Sequence, residues 1–277
     1  MKFLKFHFRI IFDFYRWIIL KTDKKLFAWL FNIKSILIRS NARLKWKKKY
    51  FILTDKSFPS FSHTIRHQVQ CNDAYEFGIQ RRIDNLAQSY FLKEIDFRDG
   101  DKFIDCGANV GDLKLWFDFN KIDIEYIGFE PSPLEYDCLL RNTSPSRVHN
   151  LALHDESTTV DFYISSQEAN SSIIKPEFYD EIVSINAIRL EDFVNTKIKC
   201  LKLEAEGSEP EVLNGLGKKL SMIEYISADL DFERGQSNES TLVPTINFLL
   251  ENNFQLINIS HDRVCALFKN NNSKNLS

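Results

Sequence analysis

Beyond about residue 100, short apolar runs alternate with stretches whose apolar positions recur at helical spacing. "KFIDC" leads into a helix beginning near Asp112, and "IEYIGFE" (124–130) into one starting around Pro133. "RVHNLAL" (147–153) and "VDFYIS" read as further strands. "IKCLKLEAEG" (198–207) precedes the helix "PEVLNGL", and "IEYISADL" (223–230) precedes the helix "LVPTINFLLENN". "FQLINIS" and "RVCALFK" then form a closing hairpin around His261–Asp262. Repeated strand–helix units predict a mostly parallel, doubly wound α/β sheet covered by helices. Residues 50–98 have mixed character and read as a helical lead-in around "FGIQRRIDNLAQSYFLKE". The main domain is then 99–270, followed by a frayed polar tail at 271–277.

Before residue 50 the pattern changes. "FRIIFDFYRWIIL" and "LFAWLFNIKSILI" are nearly apolar, but Arg9, Asp13, Arg16 and Lys34 interrupt them. No uncharged run approaches the ~20 residues that a bilayer crossing needs. The charges also break the apolar stretch of a secretory signal, and no A-x-A-like site follows. Residues 1–49 hold fourteen Lys or Arg against Asp13 and Asp23, or +12, and the rest of the chain carries −14. Such a basic, aromatic extension at 1–49 suits amphipathic helices lying peripherally in a membrane interface, with "RLKWKKK" (43–49) near anionic headgroups. The plainer alternative is a helical subdomain packed on the body, its lysines solvated. The five cysteines are scattered and lack C-x-x-C spacing, so a reduced, cytoplasmic protein is expected, at the inner face of the membrane if the extension binds there.

The stretch "KFIDCGANVGD" (102–112) is a strand, a glycine turn and a helix start, the arrangement by which α/β proteins present a helix N-terminus to a nucleotide-like ligand. A dinucleotide fingerprint needs glycine where Asn109 stands, and an acid at Asp112 opposes a pyrophosphate. No G-K-[ST] follows the turn, so a phosphate-binding P-loop is excluded as well. S-adenosylmethionine fits better. Asp105 is placed to hold its ammonium, and Glu130, at the end of the next strand, to accept from its ribose hydroxyls. The bland reading is a generic α/β turn with a surface glutamate.

Several segments, in order over about 180 residues, resemble the FkbM-type S-adenosylmethionine-dependent methyltransferases. "FIDCGANVGD" resembles the family's D-x-G-A-N-x-G cofactor turn, "GFEPSP" its F-E-P ribose segment, and "HNLALHDE" its A-L-x-D segment. "SSIIKP", "RLEDFV" and "YISADLDFERG" are similar to later segments, and "LKLEAEGSEPEVLNG" resembles K-I-D-V-E-G-A-E-x-E-V-L-x-G, the most specific of all. The resemblance implies a seven-stranded class I, Rossmann-like methyltransferase domain. It also implies cofactor contacts at Asp105, Gly107, Asn109, Gly111, Glu130 and Ala152. Glu204 stands where the family has Asp, and Pro210 enters the following helix in its first turn, where its missing N–H costs little.

Methyl transfer to oxygen, often on a sugar or polyketide, is the chemistry implied. A sugar hydroxyl needs a base or a metal at neutral pH. Candidate bases are Glu206, Glu204, Asp229 and His154, all expected at carboxyl ends of strands. Glu206 is favoured because the E-G turn aims it into the cleft; the alternative is that it caps the helix at 209–214. Asp105, Glu204, Glu206 and Asp229 have the oxygen donors a divalent ion prefers, and metal dependence stays open. Arg234 reads either as a substrate contact or as an exposed ion pair. The expected partner is a glycan or glycolipid acceptor. Two rival readings are an RNA methyltransferase using the basic arm and an idle cofactor-binding protein at the membrane. The acidic body and the missing P-P-Y-type tetrad argue against nucleic acid.

Overall fold

The computed structural model describes residues 18–165, 171–260 and 263–272. Arg9, Asp13 and Arg16 of the arm, His261–Asp262 and most of the polar tail lie outside the described residues. The chain divides into two compact units, one running to Arg82 and the other from Ile83 onward.

The lead-in expected over 50–98 is helical around "FGIQRRIDNLAQSYFLKE", but residues 50–65 before it are strands of a small sheet. Helix α1 (Lys24–Leu37) is followed by an antiparallel sheet of β1 (Ala42–Lys47), β2 (Tyr50–Asp55) and β3 (Phe58–Ile65). Two helices follow, α2 (Gln68–Tyr75) and α3 (Ile79–Ser89). Asp23 caps α1, its carboxylate accepting from the backbone N–H groups of Lys25 and Leu26. The buried side of α1 (Phe27, Ala28, Phe31, Ser35) packs on the sheet, with the Phe27 and Phe51 rings 5.5 Å apart, edge to face. Asn32 ties helix to strand, donating to the Leu44 carbonyl (2.8 Å) and accepting from the Leu44 N–H (2.7 Å). "RLKWKKK" is therefore strand and turn, not interfacial helix. Its two-residue hairpin loop, Lys48–Lys49, sets Lys48 at φ 58° without the Asn-Gly pair that usually announces such a turn.

The second unit carries a seven-stranded sheet, and its strands follow the apolar runs. They are β4 (Lys102–Cys106), β5 (Glu125–Phe129), β6 (Arg147–His149), β10 (Ile198–Leu203), β11 (Ile223–Asp229), β14 (Phe254–Ile259) and β15 (Cys265–Asn270). Their spatial order is β14-β15-β11-β10-β4-β5-β6, and β15 alone runs antiparallel to its neighbours. Helix α4 (Asp112–Phe119) crosses from β4 to β5, and α5 (Pro133–Thr143) from β5 to β6. Helix α6 (Glu209–Asn214) follows β10, and a small hairpin of β12 (Phe232–Arg234) and β13 (Glu239–Ser240) and then α7 (Leu242–Glu251) lie between β11 and β14. This is the doubly wound, class I type of sheet, with its order reversing between β4 and β10, where α/β ligands bind. Its core is Ile104, Ile127, Phe129, Leu201, Leu203, Val212, Leu213, Ile226 and Phe268, all essentially sealed from solvent.

"RVHNLAL" is not one strand. It breaks at Asn150, whose amide donates to the carbonyls of Glu130 and Pro131 (2.9 Å each). Only β6 joins the main sheet. The second half, β7 (Ala152–His154), joins β8 (Thr158–Ile164) and β9 (Glu181–Arg189) in a separate three-stranded sheet.

Candidate active site

The turn after β4 rests on close backbone approach. Gly107 (φ 72°) lies against the carbonyl oxygen of Glu204, at the end of β10, so a Cβ there would collide with backbone. The N–H groups of Gly107 and Ala108 both donate to the Phe129 carbonyl (3.0 and 2.9 Å), tying this turn to the end of β5. Asn109 (φ 49°) and Gly111 (φ 92°) continue it in the left-handed region, which Asn tolerates better than most residues.

Glu130 is buried at the end of β5. One carboxylate oxygen accepts from the Asn109 N–H (2.8 Å) and the other from the Ser132 N–H (2.9 Å). Burial, and then the Glu135 carboxylate, push its pKa up to about 8 against the opposing pull of those two bonds. Each oxygen keeps a further lone pair, which is what a pair of ribose hydroxyls requires. The donor set therefore fits the sugar of a nucleoside ligand.

Asp105 has another role than the one its position suggested. One oxygen accepts from the Tyr126 hydroxyl (2.7 Å), and the other lies 3.2 Å from the Lys202 ammonium. The cation it faces is the chain's own. Lys202 is buried and also reaches Glu204 (2.8 Å) and the carbonyls of Cys106 (2.9 Å) and Gly107 (2.7 Å). It sits 5.2 Å from the centre of the Tyr90 ring, as does the Arg263 guanidinium. Arg263 in turn bridges Glu204 and Asp229 by direct hydrogen bonds. Although burial opposes it, the attraction of Lys202 and then Arg263 wins at Glu204 and lowers its pKa to about 2. Glu204 is thus a fixed counter-charge and a poor proton acceptor. At Asp229, which is buried, desolvation outweighs Arg263 and raises the pKa.

Glu206 behaves differently. It sits at φ 49°, a costly conformation for a non-glycine residue, and Gly207 follows at φ 97°. This turn is held from several sides. Ser172, within "SSIIKP", donates its hydroxyl to the Glu206 carbonyl (2.8 Å). Arg234 donates to the Gly207 carbonyl and grips Glu211 with both nitrogens (2.9 and 2.6 Å). A Cβ on Gly207 would lie 2.6 Å from the Arg234 Cα. Arg234 is thus a clasp on the turn, and its neighbour Glu233 is brought to Glu206. The Glu233 carboxyl acts on Glu206 through its charge. Burial and then Glu233 hold Glu206 well above the usual range. Burial, then Asp229 and Glu204, push Glu233 up to about 7. Such a pair retains one proton at neutral pH because two adjacent, half-buried carboxylates repel each other.

Glu206 does not cap α6. Glu209, the first residue of that helix, holds the preceding turn instead, accepting from the N–H groups of Ala205 (2.8 Å) and Gly207 (3.2 Å) and from the Thr241 hydroxyl (2.8 Å). Two other candidates stand apart from the carboxylates. The His154 backbone packs against Gly215, at the opposite end of α6 from Glu206, and its ring meets Asp155 (2.7 Å). Ala152 is buried with Phe162, Ile185 and Ala187 in the core of the smaller sheet. Among the described residues no group of three or more His, Cys, Asp or Glu side chains stands ready to hold a metal, and Lys202 and Arg263 occupy Asp105, Glu204 and Asp229.

Lys202, Glu233, Arg263, Ser172 and Tyr90 were not singled out as site residues from the sequence. Lys202 had a legible signal, a lysine inside the otherwise apolar run "IKCLKL".

The family model of the methyltransferase FkbM domain matches residues 105–256, a span that contains every one of these site groups except Tyr90 and Arg263. The chain belongs to the FkbM methyltransferase family. Family membership carries with it the methyl transfer and the S-adenosylmethionine cofactor that the motif resemblance implied. The chain is also 24% identical to Methyltransferase 1 of Beauveria bassiana (strain ARSEF 2860), over 55% of this chain and 74% of that protein. Among solved structures, a SAM-dependent methyltransferase from Aquifex aeolicus is similar at 10% identity and TM-score 0.40, covering 70% of this chain and 98% of that one. One from Thiobacillus denitrificans, in complex with S-adenosyl-L-homocysteine, is similar at 10% identity and TM-score 0.38, covering 69% and 71%.

For this FkbM domain, Glu130→Ala is expected to weaken S-adenosylmethionine binding by at least about tenfold, each charge-assisted bond being worth roughly 1.5–3 kcal/mol. The wild-type affinity is expected to rise with pH and level off above about 8, as Glu130 ionises and becomes a full acceptor. Calorimetry between pH 6 and 9, ranges set around that value, checks both; an affinity flat with pH and unchanged in the variant removes Glu130 from the site.

Proposed function

We propose that this methyltransferase acts on a sugar hydroxyl, in a cell-surface glycan or a lipid-linked saccharide on the cytoplasmic side of the membrane. The observation that supports this reading is the pair of carboxyls at the end of β10, Glu206 and Glu233, set there by the Glu206–Gly207 turn that Ser172 and Arg234 hold, with both pKa values raised first by burial. A sugar hydroxyl is a weak nucleophile at pH 7 and gains most from such a base, whose own pKa lies close to the working pH.

When bound, S-adenosylmethionine supplies an electrophilic methyl group on a positively charged sulfur. Glu130 would hold the ribose hydroxyls, and the Gly107–Gly111 turn would face the rest of the nucleoside. Lys202 and Arg263 hold Asp105, Glu204 and Asp229 in place by ion pairs, and they keep Glu204 ionised, so it does not move the proton. Ser172 and Arg234 hold the Glu206–Gly207 turn, and with it the pair, in one orientation. The Glu206–Glu233 pair would take the proton of the acceptor hydroxyl as the hydroxyl accepts the methyl group. Positioning in line provides much of the remaining acceleration.

The test is incubation of the purified protein with methyl-labelled S-adenosylmethionine and separate fractions of glycans, lipid-linked saccharides and RNA. Label should enter a saccharide fraction and survive mild alkali, which removes methyl esters but not ethers. Label confined to RNA, or released by alkali, overturns the reading. A parallel incubation with EDTA reports metal dependence; full loss of turnover there assigns the activation of the hydroxyl to a metal.

A further inference from the structure

Helix α1 is apolar on both sides. Its packed side holds Phe27, Ala28, Phe31 and Ser35. At helical spacing, the opposite side carries Leu26, Trp29, Leu30, Ile33, Ile36 and Leu37, with Trp29 59%, Ile36 62% and Leu37 77% exposed. No charged residue interrupts that stripe, whose members recur three and four positions apart. A helix that packs on its own sheet through one side needs polar residues on the other, so six large apolar side chains there call for an occupant.

The surroundings of the stripe say which. Lys24 and Lys25 flank its first turn and Arg39 follows its last, while Asp23, at its N-terminal end, is spent on capping and Lys34 is paired with Glu76. The chain ahead of the described residues adds Lys2, Lys5, Arg9 and Arg16 against Asp13. An apolar stripe with an aromatic side chain and basic residues at both ends matches an anionic lipid surface in both hydrophobicity and charge. Fourteen helical residues extend only ~21 Å, short of the ~30 Å hydrocarbon core. Among the described residues no helix is long and apolar enough to cross a membrane.

We propose that the outer face of α1 lies flat in the headgroup–acyl boundary of an anionic bilayer, with Trp29 and Ile33 as its central anchors. This differs from a detachable arm. Residues 24–47 supply a helix and a strand of a packed unit, so deleting 1–49 would dismantle that unit as well as the docking face. The inference is independent of the acceptor assigned above.

The full-length protein is to be sedimented with phosphatidylcholine vesicles with and without phosphatidylglycerol, beside Trp29→Gln/Ile33→Gln. Neutral polar replacements remove the apolar anchor and keep the charge. The wild type should co-sediment with the anionic vesicles, and added salt should release it. Its tryptophan emission should shift to the blue on binding. The double variant should bind at least about tenfold more weakly while keeping its unfolding midpoint and its S-adenosylmethionine affinity, as expected of residues outside any core. A wild type that stays in the supernatant, or a variant that binds equally well, overturns the proposal. So does a wild type that ignores vesicles but is dimeric by light scattering where the variant is monomeric, which would give the face to a second copy of the chain.

Discussion

Glu206→Gln is expected to bind S-adenosylmethionine as the wild type does and to lose at least about a hundredfold in turnover, the lower end of what general-base catalysis contributes. Gln keeps the shape and hydrogen-bonding reach of Glu206 at its φ of 49° but cannot take the acceptor's proton. The pH profile distinguishes a base from a structural group. With Glu233 raised to about 7, wild-type kcat/KM should fall roughly tenfold per unit as pH drops below that value, because the doubly protonated pair has no basic oxygen left. Glu233→Gln removes the neighbouring negative charge from Glu206. The acid limb should then move to lower pH, while the rate on the plateau falls with the weaker base. The same variant carries a stability signature. A carboxyl with a raised folded pKa costs stability as pH rises from its unfolded value, about 4.5, toward its folded one. Glu233→Gln should therefore unfold at a higher temperature than the wild type at pH 8 and at the same temperature below pH 4.5. Full activity in Glu206→Gln, or a pH limb that Glu233→Gln leaves in place, removes the pair from the chemistry.

The sheet was largely legible because its inner strands are buried on both faces. "KFIDC", "IEYIGF" and "IEYISADL" therefore appear as continuous apolar runs ending in turn residues. The β1–β3 sheet was not, since its hairpins turn on Lys48–Lys49 and Lys56–Ser57, residues without turn preference, next to a cluster of lysines that reads as a solvated helix. The β9 strand went unnoticed because it pairs with β7 and β8, away from the main sheet. Within the site, the acids could be picked out since a carboxylate at a strand end is conspicuous. Their partners could not. Arg263 reaches Glu204 from 59 positions away, across a hairpin whose register no local pattern fixes. Glu233 meets Glu206 only because Gly207 lets the Arg234 backbone come close. Pairings of that kind decide which carboxylate stays ionised and which holds a proton, so the base was distinguishable by position alone only in part.

The largest loss of stability should come from Lys202→Met. Met fills a similar volume but leaves Asp105 buried with no cation beside it, and takes one of two cations from Glu204. Removing one partner of a buried ion pair typically costs about 3–5 kcal/mol, since the remaining charge has lost its compensation and not regained its water. Arg263 stays on Glu204 and Asp229, so the damage should concentrate at Asp105. The pH dependence follows from the signs. Burial already raises the pKa of Asp105, against the pull of Lys202, and without that pull it rises further. The variant should therefore keep Asp105 protonated to higher pH than the wild type does, and its deficit relative to the wild type should shrink as the pH falls toward about 5. Asp105→Asn in the same chain should recover part of the loss at pH 7.5, roughly a unit above neutrality, because no charge is then left uncompensated. Denaturant unfolding of the wild type, the single and the double variants at the two pH values measures this directly. A deficit below about 1 kcal/mol, or one that neither pH nor Asp105→Asn alters, would show that Lys202 only fills space. Lys202 also donates to the Cys106 and Gly107 carbonyls, so the variant should bind S-adenosylmethionine more weakly even where it is folded. A cation buried beneath the glycine turn thus serves fold and site together, and the substitution that unfolds the domain at neutral pH also loosens the cradle for its cofactor.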